Sequence, residues 1–478
     1  MKKLLSALLT ISLFLIPGLL LLSSCSQTSG TQDSRESAKP NVILIMADDL
    51  GYSGTTAFGG IGLHTPALDR LATEGVVCTD YHANAPVCSP TRVSIMTGRY
   101  QQRAGLNHIY SESNPNSGLD PATHPSFVRQ LQEAGYRTAV YGKWHMGMDE
   151  KYNPVNHGFD DFRGFLKGNV DFISHINTTP EEDWMHNLEK ANEPGYATDL
   201  INRYAVEFVQ SCEGEPFFLY LPHAAIHTPI QGRHDAPIRT DSTYAYDNGA
   251  AMDVAEYQRR YREMIQVMDE GVGMLVEELE RQGILDNTLL IFVSDNGATN
   301  IAKEKFPGAN GFFNGFKVTL YEGGIRVPAI FRFPEGMKHR VTDELMMSMD
   351  LMPTILEFCG LDVPENIDGV SLLPTLESGE PMPERDVYWS NLSMVAMRDG
   401  DWKLVWQKPF SFGPPEGPQE ATSELFNLMI DPKEQHDLSA EYPELSESMK
   451  IRAEEWWEDV TRGTELDTVP VLEYQFKF

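Results

Sequence analysis

Two pairs of side chains with oxygen donors stand directly after apolar runs. Asp48-Asp49 follows NVILIMA, and Asp295-Asn296-Gly297 follows TLLIFVS. In an open α/β sheet the ligand crevice lies at the carboxyl ends of the strands, where these pairs would meet. Two acids plus an Asp-Asn pair form a hard-cation set suited to Ca²⁺ or Mg²⁺. Asp and Asn also cap turns, so either pair alone is ambiguous. Cys88 lies in Cys88-Ser89-Pro90-Thr91-Arg92, with Ser94 and Thr97-Gly98-Arg99 downstream. A lone cysteine is usually a small buried hydrophobe. No C-x-x-C spacing occurs, which argues against zinc held by thiolates.

The wider pattern is more specific. The segment from Cys88 to Arg99 fits C-x-P-x-R followed by T-G-R. Asp48-Asp49, Gly142-Lys143-Trp144-His145, His227-Thr228-Pro229, Asp295-Asn296-Gly297, and Lys317 ahead of EGGIRVP (322–328) follow in one order. Over about residues 40–440 the chain resembles the formylglycine-dependent sulfatases of the alkaline-phosphatase-like superfamily, in their bacterial polysaccharide-type branch. The resemblance implies that a formylglycine-generating or sulfatase-maturating enzyme oxidises Cys88 to formylglycine (3-oxoalanine). It implies that Asp48, Asp49, Asp295 and Asn296 hold a divalent cation, Ca²⁺ rather than Mg²⁺, which the modified Cys88 also contacts. Arg92 would hold the hydrated aldehyde, and Lys143 and Lys317 would grip the sulfate oxygens. His145 would deprotonate the nucleophile, and His227 would protonate the leaving alcohol. Met146 stands where the family usually has Leu, a change expected to affect packing alone.

His108, Asp171 and His175 are placed by this reading for substrate contact. The stretch 151–175 (KYNPVNHGFDDFRGFLKGNVDFISH) resembles polysaccharide sulfatases and points to a sulfated glycan, an algal galactan such as carrageenan. A phosphonate monoester or phosphodiester hydrolase is the alternative, because superfamily relatives share the site.

The elements that must position these residues alternate strand and helix. The short apolar run at 41–47 reads as a buried parallel strand and those at 216–221, 288–293 and 327–331 as further buried strands, with another strand at 138–141. Helices are expected at 66–74, with Thr65 as N-cap, at 124–134 and at 256–282. The fold class is therefore α/β, a mixed and largely parallel sheet flanked by helices. A Pro/Gly/acidic linker at 377–384 precedes strands at 387–392, 395–398 and 402–406 and a helix from 444 to about 460. That pattern predicts a smaller C-terminal α+β domain with an antiparallel sheet. The division is thus a catalytic domain at 41–378 and a tail domain at 379–478.

At the N-terminus, Lys2-Lys3, an apolar stretch and Leu22-Ser23-Ser24-Cys25 resemble a lipoprotein signal. Residues 1–24 are read as the signal peptide and 25–40 as a lipidated, Ser-rich tether. The chain is thus expected to be a bacterial lipoprotein, facing the periplasm or the cell surface and touching the membrane through its lipid alone. The remaining four cysteines leave a disulfide among Cys78, Cys212 and Cys359 open. The 478 residues carry 38 basic and 69 acidic groups, a net charge of −31. A surface this acidic repels a phosphate backbone, so no nucleic-acid partner is expected.

Overall fold

The computed structural model describes residues 39–110, 117–179, 181–240, 247–334, 339–392, 394–407 and 422–466. The signal peptide and most of the tether lie outside these described residues. One sheet of ten strands organises the catalytic half. In chain order they are β1 (Asn41–Ala47), β2 (Val76–Cys78), β3 (Arg137–Lys143), β4 (Asp161–Phe165), β5 (Met185–His186), β6 (Glu189–Lys190), β7 (Phe217–Pro222), β8 (Thr288–Ser294), β9 (Ala329–Arg332) and β10 (Arg340–Thr342). Their spatial order is β10-β2-β9-β8-β1-β7-β3-β4-β5-β6. The central strands run parallel, while β9 is antiparallel to both of its neighbours. The sheet is therefore mixed and largely parallel, as expected.

β1 explains why such a strand has no polar face. Ile43, Ile45 and Ala47 join one core cluster, and Val42, Leu44 and Met46 join the other. All seven residues are buried, because helices cover both faces of the sheet. On the first face lie α1 (Pro66–Glu74), α3 (Ala197–Ser211) and α4 (Val254–Gln282). Residues of α2 (Cys88–Thr97) enter the cluster on the second. α4 starts where Asp253 caps the amides of Ala255 and Glu256, and it stops at Gly283 with φ 69°.

Two local expectations are corrected, and a question the cysteines left open is answered. Thr65 stands at the N-cap of α1 as expected, but its side chain makes no capping bond; its hydroxyl pairs with Thr56 Oγ1, and the amides of Ala67 and Leu68 donate to Asp269 on α4 instead. The helix expected over 124–134 is regular only at Val128–Glu133. Pro125 disfavours helical backbone at His124, and Ser126 Oγ accepts the Val128 amide. Cys78, Cys212 and Cys359 are buried free thiols, so no disulfide joins them.

The tail carries a four-stranded antiparallel sheet in sequential order: β11 (Val387–Asn391), β12 (Met394–Asp399), β13 (Trp402–Gln407) and β14 (Thr422–Asn427). α5 (Pro443–Val460) packs on it, and Trp456 stacks on Tyr388 at 5.0 Å and 6°. The tail's core cluster also takes in Tyr100, Leu320, Ile325, Met347 and Met349 from earlier in the chain.

Candidate active site

Strand register builds the centre of the site. β1 and β8 pair in parallel with Ala47 opposite Ser294, so both end at one level. Asp48-Asp49 and Asp295-Asn296 therefore emerge side by side, and the Asp49 amide lies 3.2 Å from Asp295 Oδ1. Asp49 takes φ 64°, a turn that brings its carboxylate back over the strand ends. β3 ends beside them and supplies Lys143, whose Nζ lies 2.7 Å from Asp48 Oδ2.

The helix α2 begins at Cys88, and all ten of its residues are buried. Arg92 lies four residues on, on the same face. Its Nη2 and Nε donate to Asp295 Oδ2 at 2.7 and 3.1 Å, and its Nη1 donates to Lys143 O at 2.7 Å. Cys88 Sγ is 3.4 Å from Asp48 Oδ1 and 3.4 Å from Lys317 Nζ. Lys317 also reaches Asp49 Oδ1 at 2.6 Å. His227 directs Nε2 toward Asp49 Oδ2 at 3.7 Å, while its Nδ1 lies 2.9 Å from Thr228 O. His145 is buried at φ 56°, with neither ring nitrogen hydrogen-bonded. The structure thus brings together Cys88, Arg92, Lys143, His145, His227, Lys317 and both oxygen pairs, from positions spread over 270 residues.

Burial sets the electrostatics. It pushes Asp48 up to about 7, although Lys143 pulls the other way. Burial alone would raise Asp49 too, but Lys317 and His227 carry it below the usual carboxylate range. Desolvation holds His145 and His227 well below an ordinary imidazole, with the cations nearby adding to the effect. The Cys88 thiol is pushed up to about 12 by burial, against the pull of Lys143 and Lys317. An unmodified Cys88 is therefore a neutral thiol at physiological pH and a poor nucleophile.

The donor set fits a hard divalent cation. Asp49 Oδ2 and Asn296 Oδ1 are buried without a hydrogen-bond partner, leaving lone pairs unspent at the strand ends. Ligand atoms of Asp48, Asp49, Cys88 and His227 lie within 4.8 Å of one another. Asp295 stands beside this group with its oxygens already accepting from Arg92 and from the Asp49 amide.

Two expected substrate contacts are corrected. Asp171 is fully buried and accepts from the amides of Ile173, Ser174, Ile238 and Arg239 and from Gln231 Nε2. It ties two loops together. His175 is 2% exposed, stacks on Trp184 at 4.2 Å and bonds Gly195 O through Nε2. His108 is different: it is half-buried, and its ring feels the charge of Lys317.

Sequence reading missed a buried charge network between the tail sheet and the EGGIRV segment. Lys403 of β13 donates to Glu322 Oε1 at 2.7 Å and Glu434 Oε1 at 2.8 Å, all three side chains being fully buried. Arg398 of β12 pairs with Asp80, which Arg326 also meets. A lysine amid the apolar WKLVW run was the available signal.

The chain belongs to the sulfatase family, whose model matches residues 40–361. A second match, to the C-terminal part of N-sulphoglucosamine sulphohydrolase, covers residues 308–458. N-acetylgalactosamine-6-sulfatase of Homo sapiens is 30% identical over 448 residues, 85% of this chain and 83% of that protein. Among solved structures, Ps i-CgsB in complex with k-i-k-neocarrahexaose is 30% identical, with a TM-score of 0.75 over 90% of this chain and 95% of that one. PsFucS1 sulfatase from Pseudoalteromonas sp. is 25% identical, with a TM-score of 0.70 over 90% and 92%. The fold is that of the alkaline-phosphatase-like sulfatases, and the protein is a sulfuric ester hydrolase.

Proposed function

We propose that this protein removes sulfate from a sulfated glycan, an algal galactan such as carrageenan, using formylglycine made from Cys88 by a maturating enzyme. The observation that carries the reading is the convergence on Cys88: Asp48, Arg92, Lys143 and Lys317 surround it in a buried pocket where the thiol itself is unreactive. The kinship with Ps i-CgsB, solved with neocarrahexaose, supports a polysaccharide substrate. A phosphonate or phosphodiester substrate has no comparable support, because the phosphonate monoester hydrolase neighbour is 21% identical and shares the fold alone.

Formylglycine, when present, supplies a hydrated aldehyde with one hydroxyl to attack sulfur and a second to let the sulfate go. A Ca²⁺ ion held by Asp48, Asp49, Asp295 and Asn296 would offset charge on the sulfuryl oxygens. Lys143 and Lys317 bind those oxygens from two sides, and Arg92 locks the nucleophile's helix to β8. His145, whose ring nitrogens make no other bond, takes the proton from residue 88. His227 gives a proton to the departing alcohol oxygen. The N-terminal segment would tether the enzyme by a lipid on Cys25, outside the cytoplasm.

A panel of defined sulfated oligosaccharides tests the substrate, and mass spectrometry of the Cys88 peptide tests the nucleophile. Active protein should carry an aldehyde at 88 and release sulfate from galactan fragments. Full activity with an intact Cys88 thiol would reject the mechanism. Thermal melting after chelation, with Ca²⁺ or Mg²⁺ restored, identifies the ion.

A further inference from the structure

The tail sheet reaches the catalytic half through the end of β11. Asn391, fully buried, bridges two loops. Its Nδ2 donates to Val318 O at 2.8 Å, and its Oδ1 lies 2.8 Å from His108 Nδ1. Neighbours stitch the same seam: Gln102 Nε2 donates to Ser390 Oγ at 2.6 Å, and Asn107 Nδ2 donates to Leu392 O at 3.3 Å. Val318 follows Lys317 and takes φ 77°. A β-branched residue in that region costs about 1–3 kcal/mol and persists only when its surroundings hold it.

The amide cannot be turned over, because Oδ1 would then face the Val318 carbonyl, acceptor against acceptor. Oδ1 must face the imidazole, so His108 Nδ1 must be the donor. In the neutral ring the proton then sits on Nδ1 and leaves Nε2 a bare acceptor. Among the described residues Nε2 makes no hydrogen bond, while burial and the charge of Lys317 both favour the neutral ring.

We propose that Asn391 is a positioning residue that fixes His108 as a hydrogen-bond acceptor for a free hydroxyl beside the scissile sulfate. The tail sheet thereby takes part in choosing the glycan. A hydroxyl donates to Nε2, whereas a second sulfate at that place meets a lone pair and is refused. This inference rests on the sulfated-glycan reading above.

The test uses galactose monosulfates sulfated at the 2-, 3- or 4-position, each paired with its analogue lacking the neighbouring hydroxyl. The wild-type protein should prefer the hydroxylated member by about tenfold in kcat/KM, the worth of one hydrogen bond. In Asn391→Ala the preference should collapse to about twofold or less. A general loss from a displaced Lys317 would lower both members alike and leave the ratio standing. Nitrogen-detected NMR of ¹⁵N-histidine protein, with His108→Gln for assignment, should find the His108 proton on Nδ1 in the wild type. It should no longer be held there in Asn391→Ala. Asn391→Asp keeps the acceptor but not the donor, so it should retain both tautomer and preference while lowering the overall rate; it also serves if the Ala variant does not fold. A wild-type proton on Nε2, or an unchanged preference in Asn391→Ala, overturns the proposal. Turnover of an aryl sulfate but of no glycan would instead count against the glycan reading, and the tautomer measurement would still judge Asn391.

Discussion

His227 holds its Nδ1 against Thr228 O, which leaves Nε2 to face Asp49 and, in the proposed reaction, the departing oxygen. A sugar alkoxide leaves poorly without a proton, whereas an activated aryl oxide leaves readily. His227→Ala should therefore slow sugar sulfates by about 10²–10⁴ and aryl sulfates far less. Parallel rates on both substrates, equal losses included, would move the acid role to Lys317. His157 illustrates a different consequence of burial. Its ring lies 5.2 Å from that of Trp144, and desolvation holds it at about 4. The unfolded chain takes up that proton near 6.5. The unfolded state thus binds more protons between these values, and the contribution present above pH 6.5 is lost as pH falls toward 4. The stability gap between wild type and His157→Gln should narrow by about 2–3 kcal/mol from pH 7 to pH 4.5 in urea titrations. A constant gap would show that the ring binds its proton equally well folded and unfolded, and would refute the effect of burial.

Elements far apart in sequence are tied together by buried charges. Lys403 on β13 holds Glu322 and Glu434 together, and Glu434 Oε2 also accepts the Glu322 amide at 2.7 Å. Lys403→Met leaves two buried carboxylates facing each other and should cost about 3–5 kcal/mol. Adding Glu434→Gln should recover part of that loss, since one acid is gone; a double variant no more stable than the single one would refute the account. This network also marks the limit of what sequence revealed. β1, α4 and the residues that converge on Cys88 were legible because apolar runs, helical spacing and a motif order are local. The pairing of Lys403 with Glu322 was not, since nothing near either residue names the other. Asp171 misled for a related reason. An acid in a polar loop looks available, but four backbone amides folded in from two segments consume it. The segment of β14 was not read as a strand because its sequence, TSELFN, lacks a clean alternation.

At the scale of the molecule, a chain of net charge −31 gathers Arg92, Lys143 and Lys317 at one buried place. A sulfated polymer must pass that acidic surface, while a single sulfated sugar feels mainly the pocket. The Debye length falls from about 30 Å at 0.01 M salt to about 8 Å at 0.15 M. We expect kcat/KM for polymer to rise with moderate salt, and that for a monosulfated sugar to stay flat or fall, at fixed free Ca²⁺. A steep fall for polymer would reveal a basic track along the surface. The burial of Cys88, 1% exposed, also sets a clock. On the maturation proposed above, an enzyme that oxidises the thiol has to act before α2 docks, so oxidation would run a race against folding. The topology lengthens that race. β1 finds its partners in β7 and β8, whose residues leave the ribosome or translocon long after position 88 has emerged. Pairing across such separations is slow. A sheet whose middle closes last keeps residue 88 within reach for as long as the rest of the chain takes to arrive.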